Sequence, residues 1–322
     1  MGSRKYLLRK MLHAILTLVF VLFFNFVLFR WMPADPVQLL ARSQHLTRED
    51  IAQQIEELGL DRSLPEQFVI YMRETLSGNL GISIRRGIDV TELIGDRLWP
   101  TVLLVGLATF LSTALGLLIG IKGAWRRGSL FDTSSLFGSL VLYSMPEGWL
   151  GMILLILFAG TLGWFPAGQY ESAAHLTGLS HVVDVLNHLF LPCLTLTLGY
   201  IGEYAIIMRS SLLETMGEDF VLTARAKGLH ERIVRRRHAV PNAFLPTFTL
   251  VFYSFGYVLG GAIIVETVFS WPGIGLLEYD AIQELDYPVI QGVFLVFSAA
   301  VIVFNLLADM LYGYLDPRIR EA

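Results

Sequence analysis

Six long apolar stretches dominate this chain of 322 residues and restrict the folds open to it. Each is long enough to cross a lipid bilayer, which takes about 20 predominantly apolar residues. The composition agrees, because 54% of the residues are hydrophobic and the mean hydropathy is +0.58, far above that of an ordinary soluble domain. We therefore predict an all-α integral membrane protein with six transmembrane helices, at Leu8–Met32, Thr101–Lys122, Leu136–Leu162, Leu189–Met208, Phe244–Phe269 and Val289–Tyr314.

The first apolar stretch follows a basic N-terminus, as the apolar region of a signal peptide does. It is too long for a signal peptide, and no small-x-small cleavage site follows it. We predict that residues 1–32 form a retained anchor helix.

Lysine and arginine are distributed unevenly between the connections of the six stretches. The connections 163–188 and 270–288 contain neither residue. The positive-inside rule places basic connections in the cytoplasm and gives little weight to long segments such as 33–96. Both termini and the connection 209–241 are therefore predicted to be cytoplasmic, on the basis of Arg4, Lys5, Arg9, Lys10, Lys122, Arg126, Arg127, Arg209, Arg225, Lys227, Arg232, Arg235, Arg236, Arg237, Arg318 and Arg320.

The predicted outer segment, residues 33–96, is too long for a bare loop and should contain helices of its own. One helix is predicted over Thr47–Gly59. A second should begin at a capping box between Ser63 and Glu66 and end at Gly78. We interpret the segment as a small helical cap on the membrane domain; the alternative is a landing surface for a soluble partner outside.

Aromatic residues fall near the predicted outer boundary, as in an interfacial belt, although each one singly is equally consistent with core packing. They are Trp31, Trp99, Trp164, Trp271 and Tyr287. The Pro-Gly pair within Ser270–Gly275 predicts a tight turn, and a short helix is predicted behind it at Leu276–Leu285.

A short basic sequence at residues 219–241, called the basic segment below, separates the fourth and fifth apolar stretches. Gly228 suits a left-handed helix end, where a side chain would cost energy, and Leu229 can supply the apolar contact of such a cap. A second helix is predicted from Glu231 to Val240, ending at Pro241. This helix–glycine–helix pattern predicts a docking surface and not a catalytic site.

Motifs for catalysis, nucleotide binding or metal binding are missing from the sequence. No Gly-Lys dipeptide occurs, so there is no P-loop for ATP, and His-Glu-x-x-His, Gly-x-Ser-x-Gly and Cys-x-x-Cys are also absent. The only cysteine, Cys193, rules out an intrachain disulfide. The spacing of His175, His181 and His188 fits no standard metal site. Energy must therefore come from another chain or from an ion gradient.

Ionisable residues within the apolar stretches are the default candidates for a transport pathway. Glu203, in the fourth stretch, is the main one. The alternative is a carboxylate near the cytoplasmic end of the helix, solvated or paired with Arg209. Asp309 is interpreted as structural, and Asn25 as a residue that joins helices.

The basic segment resembles the cytoplasmic EAA loop of ABC-importer permeases. Leu222, Thr223 and Ala224 occupy the small-residue triad, whose glutamate is absent, and His238 stands where an apolar residue is usual. Across nearly the whole chain the sequence resembles the B-type permease subunit of dipeptide and oligopeptide importers, in the peptide and nickel family. The matching stretches are Met32–Pro36, Leu58–Arg62, Gly78–Ser83, Arg97–Thr101, Met208–Glu214, Glu218–Leu229, Glu266–Gly275 and Asp309–Arg318.

The resemblance implies a type I ABC-importer permease fold with a helical extracytoplasmic cap, in a bacterial inner membrane. It divides the chain into the anchor 1–32, the cap 33–96 and a permease core 97–322 that contains a coupling loop at 209–241. The implied partners are a second, similar permease, two ATPase subunits that bind ATP and Mg, an extracytoplasmic peptide-binding protein and membrane lipid, with no nucleic acid. This chain would then be a non-catalytic subunit that binds no cofactor. The coupling residues implied are Asp219, Thr223, Ala224, Arg225, Ala226, Lys227, Gly228, Leu229 and Pro241.

Alternative functions remain open from the sequence. The same machine could import a nickel chelate, glutathione or another small solute. An ion-coupled secondary transporter should carry several intramembrane carboxylates, whereas Glu203 is nearly alone. A membrane-embedded hydrolase would need a nucleophile or metal constellation that the sequence lacks.

Overall fold

The computed structural model describes residues 2–31, 62–173, 176–244, 247–248, 251, 254 and 262–315. Within these ranges the chain is mainly helical and contains no strand longer than the isolated bridge between Ile82 and Asp89. The helices are α1 (Gly2–Trp31), α2 (Leu64–Leu76), α3 (Val90–Trp125), α4 (Leu130–Ser144), α5 (Glu147–Leu154), α6 (Leu179–Thr215), α7 (Asp219–Ala226), α8 (Glu231–Ile233), α9 (Ile263–Val268), α10 (Ile274–Glu284) and α11 (Tyr287–Leu315).

Four of the described helices are long and apolar enough to cross a membrane, and a bent pair of shorter helices raises that number to five. The four lie in α1, α3, α6 and α11, and they contain the predicted first, second, fourth and sixth spans except for Met32, which lies outside the described residues. The predicted fifth span, Phe244–Phe269, lies largely outside the described residues. Helix α9 is the main part of this span that the structure describes. The predicted helix that starts at Thr47 also lies outside them.

The predicted third span, Leu136–Leu162, is broken in the structure. The chain forms α4, breaks, and then forms α5, which continues as a π-helix over Leu155–Thr161, with a bend of 100° at the break. Pro146 causes the break, because it has no N–H to donate and it disfavours helical geometry in the residue before it. Met145 is accordingly extended, with φ −80° and ψ 128°.

The chain divides into two compact units. The first contains Met1–Trp99 and Leu277–Ala322. Within it, the buried Asn25 of α1 donates hydrogen bonds to the Tyr71 hydroxyl, at 3.0 Å, and to the Gln291 carbonyl, at 3.3 Å. Asn25 therefore joins α1 to α2 and α11, as predicted for a residue between helices.

Helix α2 begins at the predicted capping box. The backbone N–H and the hydroxyl of Ser63 donate to the carboxylate of Glu66, at 3.1 and 2.9 Å. These hydrogen bonds lower the pKa of Glu66. Gly78, with φ +87°, follows the helix, as predicted.

In the second unit, Pro100–Leu276, glycines allow the backbones of neighbouring helices to come into direct contact. A Cβ at Gly116 or Gly120 of α3 would lie 2.6 Å from an atom of α6, in Tyr204 or Ala205 respectively. A Cβ at Gly202 of α6 would lie 2.3 Å from the carbonyl oxygen of Ser139 in α4. No L-residue with a side chain fits at that distance, so these three glycines let α3, α4 and α6 pack backbone against backbone.

Candidate functional site

The basic segment folds as the sequence predicts around Gly228. This glycine has φ +73° and follows α7. Its N–H donates to the Arg225 carbonyl at 2.9 Å, and the N–H of Leu229 donates to the Ala224 carbonyl at 3.4 Å. This pair of hydrogen bonds is the Schellman motif, which satisfies carbonyls that a helix end would otherwise leave without partners.

An apolar cluster holds the basic segment against the ends of two long helices. Val221, Ala224, Val234 and Ala239 are buried in the segment, and they pack with residues of α3 and α6. The residues that complete this cluster are Ala124, Met208, Leu212 and Ala243, with Leu117, Ile121, Trp125, Leu213, Met216 and Val240 partly buried around it. Burial of one face fixes the position of the segment and leaves its other face free.

The exposed face combines cationic and apolar side chains. Phe220, Leu222, Leu229 and Ile233 are 42%, 49%, 37% and 40% exposed and add apolar area to this basic surface. Of the predicted coupling residues, Ala224 is buried and Arg225 is partly buried. The others are exposed: Asp219, Thr223, Ala226, Lys227, Gly228, Leu229 and Pro241. Most of the predicted coupling residues are thus accessible at the surface of the described chain.

Charged and aromatic contacts join the two halves of the segment. Arg225 of the first half forms an ion pair with Glu231 of the second, at 3.1 Å. The guanidinium groups of Arg225 and Arg235 lie 5.8 and 5.7 Å from the centre of the Trp125 ring. Trp125 therefore receives one cation from each half, through cation–π contacts.

The expectation that the second helix ends at Pro241 is wrong. Helix α8 continues as a π-helix over Val234–Ala239, and helical geometry runs on through Pro241 to residue 244. A proline lacks the N–H that an α-helix would use, and a π-helical turn changes which groups are paired. The wide turn ahead of Pro241 is consistent with a helix that passes through a proline.

Glu203 lies in α6 and is partly exposed. Its suggested pairing with Arg209 is wrong, because Arg209 instead binds Asp132 of α4 through two hydrogen bonds of 2.6 and 2.9 Å. Within the described part of the chain Glu203 makes no hydrogen bond or ion pair. Asp309 forms an ion pair with Lys10, at 2.9 Å, consistent with its predicted structural role.

Two further carboxylates in the membrane domain escaped prediction, so Glu203 is less isolated than the sequence suggested. Glu147 opens α5 directly after the bend and approaches Gly199 of α6, where a Cβ would lie 3.6 Å from the Glu147 side chain. Glu266 of α9 is fully buried. The Pro-Gly turn that follows Glu266 was visible in the sequence, but nothing in the sequence showed that the turn encloses a carboxylate.

The turn Ser270–Gly275 wraps around Glu266. The carboxylate accepts hydrogen bonds from the Thr101 hydroxyl at 3.0 Å and from the N–H of Leu276 at 2.9 Å. A Cβ at Gly273 would lie 2.4 Å from both carboxylate oxygens. Glu266 therefore satisfies donors at the start of α10, whose range confirms the predicted helix at Leu276–Leu285. Trp271, one of the predicted belt residues, is buried and donates to the Pro100 carbonyl at 3.0 Å.

The histidines of the connection 163–188 have local partners. His181 lies beside Glu171, and His188 lies beside Asp184. His175 lies outside the described residues. Among the residues that the structure describes, no three His, Cys, Asp or Glu side chains come together in a way that could hold a metal ion.

Comparison with known families identifies the class of protein. Residues 78–321 match the inner membrane component of binding-protein-dependent transport systems, and residues 3–105 match the N-terminal part of such components. The chain therefore belongs to this family and is a multi-pass protein of the inner membrane.

Individual relatives are similar over nearly their whole length. A probable peptide ABC transporter permease of Sinorhizobium fredii is 39% identical over 315 residues, which cover 98% of this chain and 99% of that protein. The dipeptide transport system permease of Escherichia coli is 36% identical with the same coverage. A di/tripeptide transport system permease of Pseudomonas aeruginosa is 38% identical over 92% of this chain and 93% of its own length.

Proposed function

We propose that this chain is a transmembrane permease subunit of an ATP-driven importer of dipeptides and oligopeptides, and that it forms half of the translocation pathway. The main support for the proposal is the exposed face of the basic segment, because its mixture of apolar and cationic side chains suits contact with another protein. The peptide-transport names of the relatives support the cargo. The fold we propose has six transmembrane helices and an extracytoplasmic cap, of which α2 is a part.

The partner of the basic segment is a cytoplasmic ATPase subunit. Phe220, Leu222, Leu229 and Ile233 supply apolar contact area, and the surrounding arginines favour an acidic rim on the partner. Two such subunits bind ATP and Mg, so this chain needs no nucleotide site and catalyses no reaction itself. A second, similar permease and an extracytoplasmic peptide-binding protein complete the assembly.

Both termini and the loop 209–241 are cytoplasmic in this proposal, and residues 33–96 and 270–288 face outward. Single cysteines at Ser63 and Ser129, in a Cys193→Ala background, provide the test. A membrane-impermeant thiol reagent added from outside should label the first and spare the second, and labelling of both would contradict the orientation.

Glu203 contacts the cationic amino terminus of the passing peptide. Its partly exposed carboxylate, without a partner among the described residues, supports this role. Glu203→Gln should then raise the peptide concentration needed for half-maximal uptake without preventing assembly, and N-acetylated peptides should not distinguish the variant from wild type.

Uptake by proteoliposomes that contain the full complex tests the function as a whole. With ATP inside and the binding protein outside, di- to pentapeptides should accumulate, and they should continue to do so when the proton gradient is collapsed. Uptake driven by an ion gradient without ATP would overturn the proposal. Transport of a nickel chelate or glutathione in place of every peptide would support an ATP-driven importer with a different substrate.

A further inference from the structure

The last turns of α6 make contacts in two directions. Met208 and Leu212 are fully buried in the apolar cluster that holds the basic segment. The Ser211 hydroxyl donates to the Ala243 carbonyl, at 2.8 Å, and so binds the helix just beyond the end of that segment. Arg209 lies between these residues in sequence but contacts α4 instead. The end of α6 is thus a junction between the basic segment and α4.

The contact with α4 is a bidentate ion pair. Arg209 Nε and Nη2 donate to the two oxygens of Asp132, and the side chains are 20% and 5% exposed. Asp132 also accepts the N–H of Gly128, at 3.0 Å, and its own N–H donates to the Ser129 hydroxyl. Loss of one partner from a pair this buried leaves a charge without compensation, which costs more than loss of an exposed pair.

The ion pair lies against a glycine of α3. A Cβ at Gly123 would lie 3.3 Å from an Asp132 oxygen and 3.8 Å from the Cδ atom of Arg209. Three helices therefore meet at this pair, and the planar guanidinium group fixes the orientation of α4 relative to α6 more closely than a flexible ammonium group would.

Two contacts further along keep α4 and its continuation α5 attached to α6. Gly202 packs directly against the Ser139 carbonyl. Beyond the bend, Glu147 approaches Gly199 of α6, where a Cβ would lie 3.6 Å from the Glu147 side chain. Because α6 is attached at both ends of α4, a displacement of its last turns must carry α4 and the bend with it.

We propose that Asp132 and Arg209 are positioning residues that transmit movement of the basic segment to the bent helix pair α4–α5. The proposal rests on the proposed function, since the ATPase subunits supply the movement. Neither residue contacts ATP or the peptide. The two residues affect the number of peptides transported for each ATP hydrolysed.

The test measures peptide uptake and ATP hydrolysis together, in proteoliposomes that hold the complete complex. Asp132→Asn should assemble and still hydrolyse ATP, but peptides transported per ATP should fall about ten-fold, which corresponds to about 1.4 kcal/mol of lost coupling. Arg209→Lys, which keeps the charge and loses the second hydrogen bond, should give an intermediate ratio. Exchange of the two residues, Asp132→Arg with Arg209→Asp, should recover part of the loss.

A matched control is the more exposed pair of Arg86 and Asp280, 3.5 Å apart in the other unit. Arg86→Gln removes an ion pair of the same chemistry and should leave the ratio unchanged. A wild-type ratio in both Asp132→Asn and Arg209→Lys would overturn the proposal. A parallel fall of uptake, hydrolysis and assembled complex would also overturn it, because the pair would then only stabilise the fold. Absence of ATP-driven uptake in the wild-type complex would instead refute the proposed function, on which this inference depends.

Discussion

Two turns of this protein depend on glycine for opposite reasons. Gly228, in the basic segment, has φ +73° and open space around its Cα, so only its backbone conformation excludes a side chain. Gly273, in the turn around Glu266, has no positive φ, but a Cβ there would collide with a buried carboxylate. The first turn is local and exposed, whereas the second is held by contacts with distant residues. The two should therefore respond differently to the same kind of substitution.

Removal of the buried carboxylate should have the largest effect. Glu266→Ala leaves the Thr101 hydroxyl and the Leu276 N–H without their acceptor, at a cost of about 1–3 kcal/mol for each buried donor left unpaired. Thermal unfolding of the purified protein in detergent should shift to a clearly lower temperature. Glu284→Ala, at the exposed end of α10, is the control and should unfold like wild type. Equal midpoints for the two variants would show that the buried turn does not depend on Glu266.

Addition of a methyl group in the buried turn should have the next largest effect. Gly273→Ala overpacks the space beside Glu266 and should cost about 1–3 kcal/mol, measured as the same thermal shift. Combination with Glu266→Ala removes the colliding group, so the double variant should lose less stability than the sum of the single losses. Gly138→Ala, in α4 with no atom within 4 Å of the added Cβ, should be neutral. If the stability loss of the double variant equalled the sum of the two single losses, Gly273→Ala would not act through a collision with Glu266.

A side chain at the exposed turn should affect function more than stability. Gly228→Val should cost on the order of 1 kcal/mol at a left-handed position, and Gly228→Asn less. Transport and association with the ATPase should fall for Val while the amount of protein in the membrane stays unchanged. Gly163→Val, at φ +63° and equally open, provides the same backbone cost elsewhere and should retain association. Wild-type transport by Gly228→Val would refute a role for the left-handed helix end at Gly228 in coupling.

Loss of the shared aromatic ring should have the smallest effect. Trp125→Leu keeps apolar contact but removes two cation–π contacts, worth about 0.5–1 kcal/mol each at exposed sites. Amide hydrogen exchange over residues 219–241 should accelerate by about five-fold, and by at most about thirty-fold, because local opening becomes easier by the sum of the two contacts. Trp164→Leu, at an exposed site outside the segment, should not change exchange there. A larger acceleration would show that the exposed turn also depends on distant contacts.

The difference between local contacts and contacts with distant residues also explains what the sequence could predict. The caps at Gly228 and at Ser63 depend on residues within a few positions of each other, so their patterns were sufficient. The surroundings of Glu266 and the partner of Arg209 depend on Thr101 and Asp132, which are 165 and 77 positions away. No local pattern contains that information. The break at Pro146 was available in the sequence, but the apolar residues on both sides of it favoured one continuous span.

The close approach of α3 and α6 has a consequence for natural variation. At Gly116 and Gly120 there is no room for even one methyl group, since the neighbouring atoms of Tyr204 and Ala205 are 2.6 Å from where it would lie. At Gly95, Gly106 and Gly138 nothing lies within 4 Å. Among homologous chains the first two positions should therefore be restricted to glycine wherever this pair of helices is kept, while the other three should drift freely among small and large apolar residues.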